Sequence, residues 1–474
     1  MLTGSVSDVL KLARDRKVET VDLRFCDLLG TTQHFTMPLH MLTEELFKDG
    51  IPFDGSSIRG FQSIQESDLL LIPDPTTAYI DPVAHVATMN IMCDITDPEG
   101  VGYARDPRHV AKKAVAYLQE TGIGTEADFG PELEFFMFND VRYAEEPTRA
   151  SYAVDSAEGW WQSGAGLQPN LGRQIQTKSG YFPVPPADRT HDVRTAIILA
   201  LEEAGVSVER HHHEVATGGQ AEIDIHYDSL VRMADKVTIY KYIVKSVANA
   251  NGLAATFMPK PLYGDNGTGM HVHQSLWADG RNLMYDTSSD YANLSDIGRW
   301  YIGGLLAHTR ALMAICAPTT NSYKRLVPGF EAPTTLVYGQ RNRSAIIRIP
   351  TVARHPEATH LEFRAPDATA NPYLCFAALL MAGLDGIQNK IEPGEPLDEN
   401  LFTIPVEEAS RYEHTPVNLT EALEALEADH GFLIKDHVFS PDLLETYIEY
   451  KRDNEITPLR TRPHPLEFVL YFDA

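Results

Sequence analysis

Phe129-Gly-Pro-Glu-Leu-Glu-Phe-Phe136 reads as a buried strand interrupted by two acids. Glu132 and Glu134 stand two apart, so both side chains leave the same face of that strand. Neighbouring carboxylates on one face repel unless something cationic lies between them. Taken alone, the pair also fits an edge strand with a solvated polar face. The same spacing recurs along the chain. In His211-His-His-Glu-Val-Ala-Thr-Gly-Gly-Gln-Ala-Glu222 a turn at Gly218-Gly219 predicts a hairpin, with Glu214 and Glu222 facing each other across it. Met270-His-Val-His-Gln-Ser275 puts His271 and His273 on one face, and Leu361-Glu-Phe-Arg-Ala-Pro366 does the same for Glu362 and Arg364. The histidine triplet lacks the H-E-x-x-H spacing, because residue 217 is threonine, and read alone its members are ordinary strand polar groups.

One cavity lined from several strands, holding divalent cations against a carboxylate wall, accounts for these stretches together. Glu132, Glu134, Glu214, Glu222 and Glu362 with His271 form an oxygen-rich donor set that suits Mg2+ or Mn2+ better than Zn2+. So many acids imply more than one ion. Clustered ions of this kind serve phosphoryl transfer, where they neutralise the moving group. Such chemistry also needs fixed cations. Between Lys324 and Arg364 the chain's charge balance inverts, with Lys324, Arg325, Arg341, Arg343, Arg348, Arg354 and Arg364 set against only Glu331, Glu357 and Glu362. Arginine predominates, as it does where phosphate or carboxylate is gripped by two nitrogens. Ile346, Ile347 and Ile349 interleave with the arginines and predict partial burial rather than a solvated basic face. No G-x-x-x-x-G-K-[ST] loop and no strand-linked G-x-G-x-x-G is present. Gly264-Asp-Asn-Gly-Thr-Gly269 leads into the His271 strand and reads either as a plain turn or as a place where backbone approaches a ligand.

The chain has 474 residues, with 40 Lys+Arg against 66 Asp+Glu and a formal charge of −26. That balance argues against nucleic acid and against anionic membrane as partners. The best apolar run, residues 301–317, is broken by His308 and Arg310. The N-terminus lacks the apolar core of a signal peptide. Cys26, Cys93, Cys316 and Cys375 stand far apart without a C-x-x-C pair, the usage of a reducing, cytoplasmic protein with thiols as small core residues. Residues 1–104 read as a small unit, with a helix over 7–16 and two strands about Leu29-Gly30, where Val21, Leu23 and Phe25 alternate with Asp22 and Arg24. Asp106-Pro107 opens a helix that stops at Gly122. A catalytic-sized unit over 105–474 follows, with helices expected over 192–204, 230–249, 296–315, 372–389, 419–429 and 441–452 and short strands between them, so the expected class is mixed α+β.

Several segments carry a resemblance. They are Phe53-Asp-Gly-Ser-Ser-Ile58, Pro131-Glu-Leu-Glu134, His211-His-His-Glu-Val-Ala-Thr217, Phe257-Met-Pro-Lys-Pro261, Gly264-Asp-Asn-Gly-Thr-Gly-Met-His271, Asn321-Ser-Tyr-Lys-Arg-Leu-Val-Pro-Gly329, Arg341-Asn-Arg-Ser344 and Asn371-Pro-Tyr373. In that order, over nearly the whole chain, they closely resemble the bacterial type I glutamine synthetase family. The resemblance implies an amino-terminal β-grasp domain and a glutamine synthetase catalytic domain, whose antiparallel sheet lines a metal-containing cavity completed by a neighbouring subunit. It also implies a homo-oligomer, a dodecamer of two hexameric rings. Glu134, Glu214 and Glu222 would hold one metal and Glu132, His271 and Glu362 a second, with two or three Mg2+ or Mn2+ per site. Glutamate would lie against Asn266, Gly267, Arg325 and Arg364, with Arg343 at its reacting carboxylate, and ATP against Glu209, His273, Ser275 and Arg348. Glu331 would close the site as a flap acid. Asp54 and Ser57, from the adjacent subunit, would bind ammonium, and Asp54 would take its proton. The implied reaction is ATP-dependent ligation of ammonia to the side-chain carboxylate of L-glutamate through γ-glutamyl phosphate, giving glutamine, ADP and phosphate.

One departure from the family pattern is Phe402, which stands where members regulated by adenylylation carry the modified tyrosine. Without a hydroxyl no AMP ester forms there, so control at that loop is expected to be absent. A small basic regulatory protein, steered by the acidic surface, is the expected substitute. The rival readings are a ligase joining glutamate to a larger amine, a non-catalytic structural relative and, from the acids and arginines alone, a guanidino kinase. Asp54 and Ser57 together favour ammonia over a larger amine.

Overall fold

Residues 20–38 form a hairpin of β1 (Thr20–Cys26) and β2 (Thr32–Pro38), paired antiparallel about Gly30, whose φ of +90° suits glycine. The helix before it, α1 (Val6–Asp15), starts where the Ser5 hydroxyl accepts the Asp8 amide. After α2 (Glu44–Asp49) come β3 (Ile51–Asp54), β4 (Asp68–Pro73), β5 (Tyr79–Ile80) and β6 (Thr88–Thr96). They complete a six-stranded sheet ordered β2-β1-β6-β4-β3, with β5 on β6 and with β1 parallel to β6. This computed structural model describes residues 4–61, 67–161, 172–327, 330, 332–351, 358–399 and 411–474.

The alternation along β1 predicts one wet face, but Asp22 and Arg24 are buried as well. Arg24 donates to Asp22, Tyr79 and Asp81, and its guanidinium lies 3.9 Å from the ring centre of Tyr242. Tyr242 belongs to α5 (Leu230–Ala250), which lies far along the chain and covers that face. Tertiary packing therefore turns a solvated pair into a buried, fully partnered one.

The larger sheet is centred on β7 (Glu126–Phe138), and the neighbouring β8 (Asp140–Glu146) and β9 (Arg149–Asp155) form a separate hairpin. The sheet gathers β10 (Val208–His213), β11 (Gln220–Ile225), β12 (Asp228–Ser229), β13 (Ala254–Thr256), β14 (Met270–Ala278), β15 (Arg281–Asn282), β16 (Thr335–Gln340), β17 (Ala345–Ile349) and β18 (Leu361–Phe363). Its order is β10-β11-β7-β14-β18-β17-β16, antiparallel except for the parallel pair β16 and β17.

Helices back both sheets. α3 (Pro107–Glu120) begins at the Asp106 N-cap, α4 (His191–Glu203) packs on α5, and α6 (Asp296–Cys316) packs along α8 (Pro372–Asn389); α7 (Ser322–Arg325) is a single turn between them. Every residue of α8 from Pro372 to Ile387 is buried, as its almost wholly apolar sequence requires; the one charge there, Asp385, is paired with His308 and Lys435. Gly304 and Gly386 let α6 and α8 touch backbone to backbone, since a Cβ on either would run into the other helix. The two sheets share one hydrophobic core, and all four cysteines lie buried. Arg108 on α3 pins the junction: it donates to Asp74 and Asp94 of the first sheet region and to Asp235 on α5.

Candidate active site

Strand register assembles the site. On one side of β7, β11 places Glu222 opposite Glu134 and Asp224 opposite Glu132. On the other side, β14 places His271 opposite Glu132 and His273 opposite Gly130. Next, β18 sets Glu362 opposite His273, and β17 sets Arg348 opposite Glu362. Residues directly opposite in a sheet share a face, so side chains from β11, β7, β14, β18 and β17 line one wall. The outermost strand, β10, adds His212 opposite Glu222. This corrects the expected pairing of Glu214 with Glu222. His213 stands opposite Ala221, so the hairpin is centred on Thr217, and the Glu214 amide donates to the Gln220 carbonyl at 2.9 Å. The turn is a wider loop than Gly218-Gly219 alone: both glycines take positive φ, and the Ala216 amide bonds the Gln220 side chain across it.

Within this wall Glu132 contacts His271 Nδ1 at 3.3 Å and His273 Nε2 at 3.0 Å. Glu362, with no exposed surface, accepts from Arg348 Nε and Arg364 Nη1 and lies 3.6 Å from His271 Nδ1. Ligand atoms of Glu132, His271 and Glu362 fall within 4.8 Å of one another. Glu134 accepts the Gly269 amide at 2.8 Å and the Gln220 side chain at 3.3 Å. Glu214 accepts the Val215 amide at 2.7 Å, and His212 stands between it and Glu222, at 3.6 and 3.7 Å. Glu134, Glu214 and Glu222 thus reach one region. The other close set among the described residues, however, is His212, Glu222 and Asp224.

The electrostatics fit a cationic occupant. Burial raises the pKa of Glu222, and the charges of Glu134, Glu132, Asp224 and Glu214 push it well above the usual carboxylate range. A divalent ion reverses that repulsion and favours the ionised form. Burial also opposes ionisation of Glu362, but Arg364, His273, His271 and Arg348 outweigh it and bring its pKa down to about 2. For His271, burial and then Arg364 lower the pKa, which leaves a neutral imidazole of the kind a metal takes. Carboxylates with one neutral imidazole are the donors that a Mg2+ or Mn2+ site uses, so these residues fit such an ion.

Residues 104–471 match the family described as glutamine synthetase, catalytic domain, and residues 17–98 match glutamine synthetase, beta-Grasp domain. The chain is 54% identical over 479 residues to the glutamine synthetase of Mycobacterium tuberculosis, covering all of both chains. It is 54% identical over 471 residues to that of Streptomyces coelicolor, covering 99% of each. The chain belongs to the glutamine synthetase family. Among solved structures it is similar to the Plasmodium falciparum glutamine synthetase, with TM-score 0.92, 31% identity and 99% of each chain covered. It is also similar to a GmaS/ADP complex, with TM-score 0.81, 30% identity and 98% of this chain and all of that one covered. Its activity is ATP-dependent synthesis of glutamine, carried by a β-grasp domain followed by a catalytic domain of bacterial type I. Family membership implies ATP, a divalent metal and an oligomer. No described helix is long and apolar enough to cross a membrane.

The remaining residues expected of a glutamine synthetase fall into distinct places. Glu209, His273 and Ser275 line a cleft of about 550 Å³ with Tyr227, Trp277 and His360, while Arg348 is turned to Glu362. Arg325 is buried and donates to the carbonyls of Arg364, Ala365 and Pro366, and Arg364 is buried beside Glu362. The glycine run is no plain turn. A Cβ on Gly267 would stand 2.9 Å from Arg325 Cγ, and one on Gly269 would stand 2.6 Å from Arg325 Nη2. Gly267 and Gly269 therefore lie against the Arg325 side chain, and Asn266 beside them is buried. Arg343 is exposed between β16 and β17. Asp54 ends β3 and Ser57 lies in the short helical turn after it, where the hydroxyls of Ser56 and Ser57 donate to Asp54 and, with the Ser56 amide, lower its pKa. Neither belongs to the cleft's lining. Glu331 and Phe402 fall outside the described residues.

Sequence reasoning passed over Asp224, His212 and Glu158. Asp224 is buried on the wall, with Arg210 Nη2 2.5 Å from its carboxylate, and it stands two residues after Glu222, the very spacing used elsewhere. His212 was one of three adjacent histidines, and the strand register singles it out. Glu158 gives no local signal, because its partners lie far along the chain.

Proposed function

We propose that synthesis runs in two steps at this carboxylate wall, supported above all by the convergence of Glu132, His271 and Glu362 from three strands. In this reading those three hold one divalent ion and Glu134, Glu214 and Glu222 hold another, with two or three Mg2+ or Mn2+ per site. Bound there, such ions neutralise charge on the transferring phosphoryl group. Glu209, His273, Ser275 and Arg348 hold ATP; the likeness to an ADP-bound chain supports a nucleotide in this fold. Asn266, Gly267, Arg325 and Arg364 hold glutamate, and Arg343 meets its reacting carboxylate.

That carboxylate attacks the γ-phosphorus, ADP leaves, and γ-glutamyl phosphate forms. Activation is needed because a free carboxylate is a poor acyl donor. Glu331 closes the flap and keeps water from the acyl phosphate. Asp54 and Ser57, supplied by a neighbouring copy, bind ammonium, and Asp54 takes one proton. Ammonia then attacks the acyl carbon and displaces phosphate. The closeness of Asp54 and Ser57, at 2.7 Å, supports their acting together on one cation.

We further propose a cytoplasmic dodecamer of two hexameric rings, divided into domains 1–104 and 105–474, without adenylylation at Phe402 and controlled by a small basic protein docking on the acidic surface. The deciding assay is phosphate release that requires glutamate, ATP and ammonium together, repeated with methylamine and polyamines in place of ammonium. Equal turnover with a larger amine would overturn the ammonia assignment.

A further inference from the structure

Glu158 and His213 are buried, each about 1% exposed, and the chemistry above uses neither. Their contacts join segments distant in sequence. One carboxylate oxygen of Glu158 accepts the Arg189 amide, and the other stands 3.1 Å from His213 Nε2. The Glu158 carbonyl accepts the Ile175 amide at 2.9 Å, and the Ile175 carbonyl accepts the Thr217 hydroxyl at 2.6 Å. At its other end, His213 Nδ1 lies 2.7 Å from the Glu214 carbonyl and 2.8 Å from the Gly180 carbonyl. Carbonyls only accept, so Nδ1 carries hydrogen, and the ring is held at both nitrogens.

We propose that Glu158 is a positioning residue which, through His213, sets the loop that presents Glu214 to its divalent ion; this rests on reading Glu214 as a ligand. The ring grips the Glu214 carbonyl while the Glu214 side chain, on the same residue, reaches the cavity beside His212. The same ring nitrogen holds Gly180, whose amide donates to Val215 O at 2.9 Å. Gly180 sits so close that a Cβ would strike the carbonyls of Glu214 and Ala216. Beyond it, the rings of Tyr181 and Phe182 lie 5.6 and 4.7 Å from His212, so the clamp also seats the aromatic lip over the metal-side imidazole. Partners that orient a ligand from behind typically change metal affinity by about 10–100-fold when removed. A staple that served folding alone would leave affinity untouched in any variant that folds.

The test is Mn2+ binding to the intact oligomer by calorimetry, with particle size and melting temperature measured alongside, for wild type, Glu158→Ala, Glu158→Gln and Glu214→Ala. Glu158→Ala is expected to lose about 10–100-fold in affinity at one class of site, and the Mn2+ needed for half-maximal activity should rise more than kcat falls. Glu158→Gln should stay within a few-fold of wild type. Its amide oxygen accepts the Arg189 amide, and its NH2 donates to Nε2 of the neutral ring. Wild-type affinity in an assembled Glu158→Ala protein, with Glu214→Ala impaired, overturns the positioning role alone. Wild-type affinity in Glu214→Ala overturns the ligand reading beneath it. If Glu158→Ala does not assemble, Glu158→Asp decides, because it keeps the charge but withdraws it by one methylene: reduced affinity at native particle size supports the proposal, and full affinity overturns it.

Discussion

Two acids on the same wall are expected to respond to neutralisation with opposite signs. Glu362 has no exposed surface, and its pKa falls from the usual 4.5 to about 2 because Arg364, His273, His271 and Arg348 outweigh the cost of burial. At about 1.36 kcal/mol per pH unit, ionised Glu362 contributes about 3 kcal/mol. A depressed carboxylate pKa gives stability that is present above about pH 4.5 and is lost as the pH falls towards 2, so all of it is at stake at pH 7. Breaking a buried ion pair by removing one partner costs about 3–5 kcal/mol, which agrees. Glu362→Gln should therefore lower the melting temperature of the EDTA-treated protein. Glu222 is the reverse case, since burial and four neighbouring carboxylates penalise its charge. Glu222→Gln should leave the metal-free protein as stable as wild type or more so. Both variants should lose Mn2+ affinity, and with it the stabilisation of about 2.7 kcal/mol that a ligand at one hundred times its Kd supplies. The assay is a melting series with EDTA and with increasing Mn2+, alongside glutamine formation. Melting shifts of the same sign in the metal-free variants would refute the electrostatic account, and full turnover by Glu362→Gln would refute the metal assignment.

Arg108→Met removes the guanidinium that joins Asp74, Asp94 and Asp235 and leaves only Lys112 beside the first two, so a loss of about 3–5 kcal/mol is expected in urea unfolding, with no change in the Mn2+ affinity of the folded fraction. His308 is held against Asp385 at 3.0 Å and Asp429 at 2.8 Å. Burial opposes its protonation, but those two carboxylates raise its pKa to about 9. Its contribution is complete below about pH 6.5 and disappears as the pH rises through 9, so the melting difference between wild type and His308→Gln should shrink over that window. Incubation with an adenylylating enzyme and ATP should add no AMP to the peptide containing Phe402, whereas Phe402→Tyr should accept it; mass spectrometry of that peptide reads both.

The spacing-two pairs were legible because a strand projects alternate residues to one face whatever its neighbours are, so Glu132, Glu134, His271, His273, Glu362 and Arg364 could be grouped before any contact was known. The long helices were legible for a similar local reason, most plainly at the Asp106-Pro107 start, where the cap and the proline act within one turn. Register was not, because it depends on which strand lies beside which. A hairpin centred one residue away exchanged Glu214 for His212 opposite Glu222, and the cross-sheet rows admitted Asp224. Burial was not legible either. Asp22 and Arg24 on β1 and Glu158 behind β10 look like surface charges in the chain, and remote segments bury them, giving Arg24 its contacts with Tyr79 and Asp81 and Glu158 its contact with His213. The amino-acid sequence by itself therefore determined the donor chemistry, the strand faces and the family. Tertiary structure alone decided which donors meet, which acids repel and which are held ionised, because those energies depend on distance and solvent exclusion between residues that the chain keeps far apart.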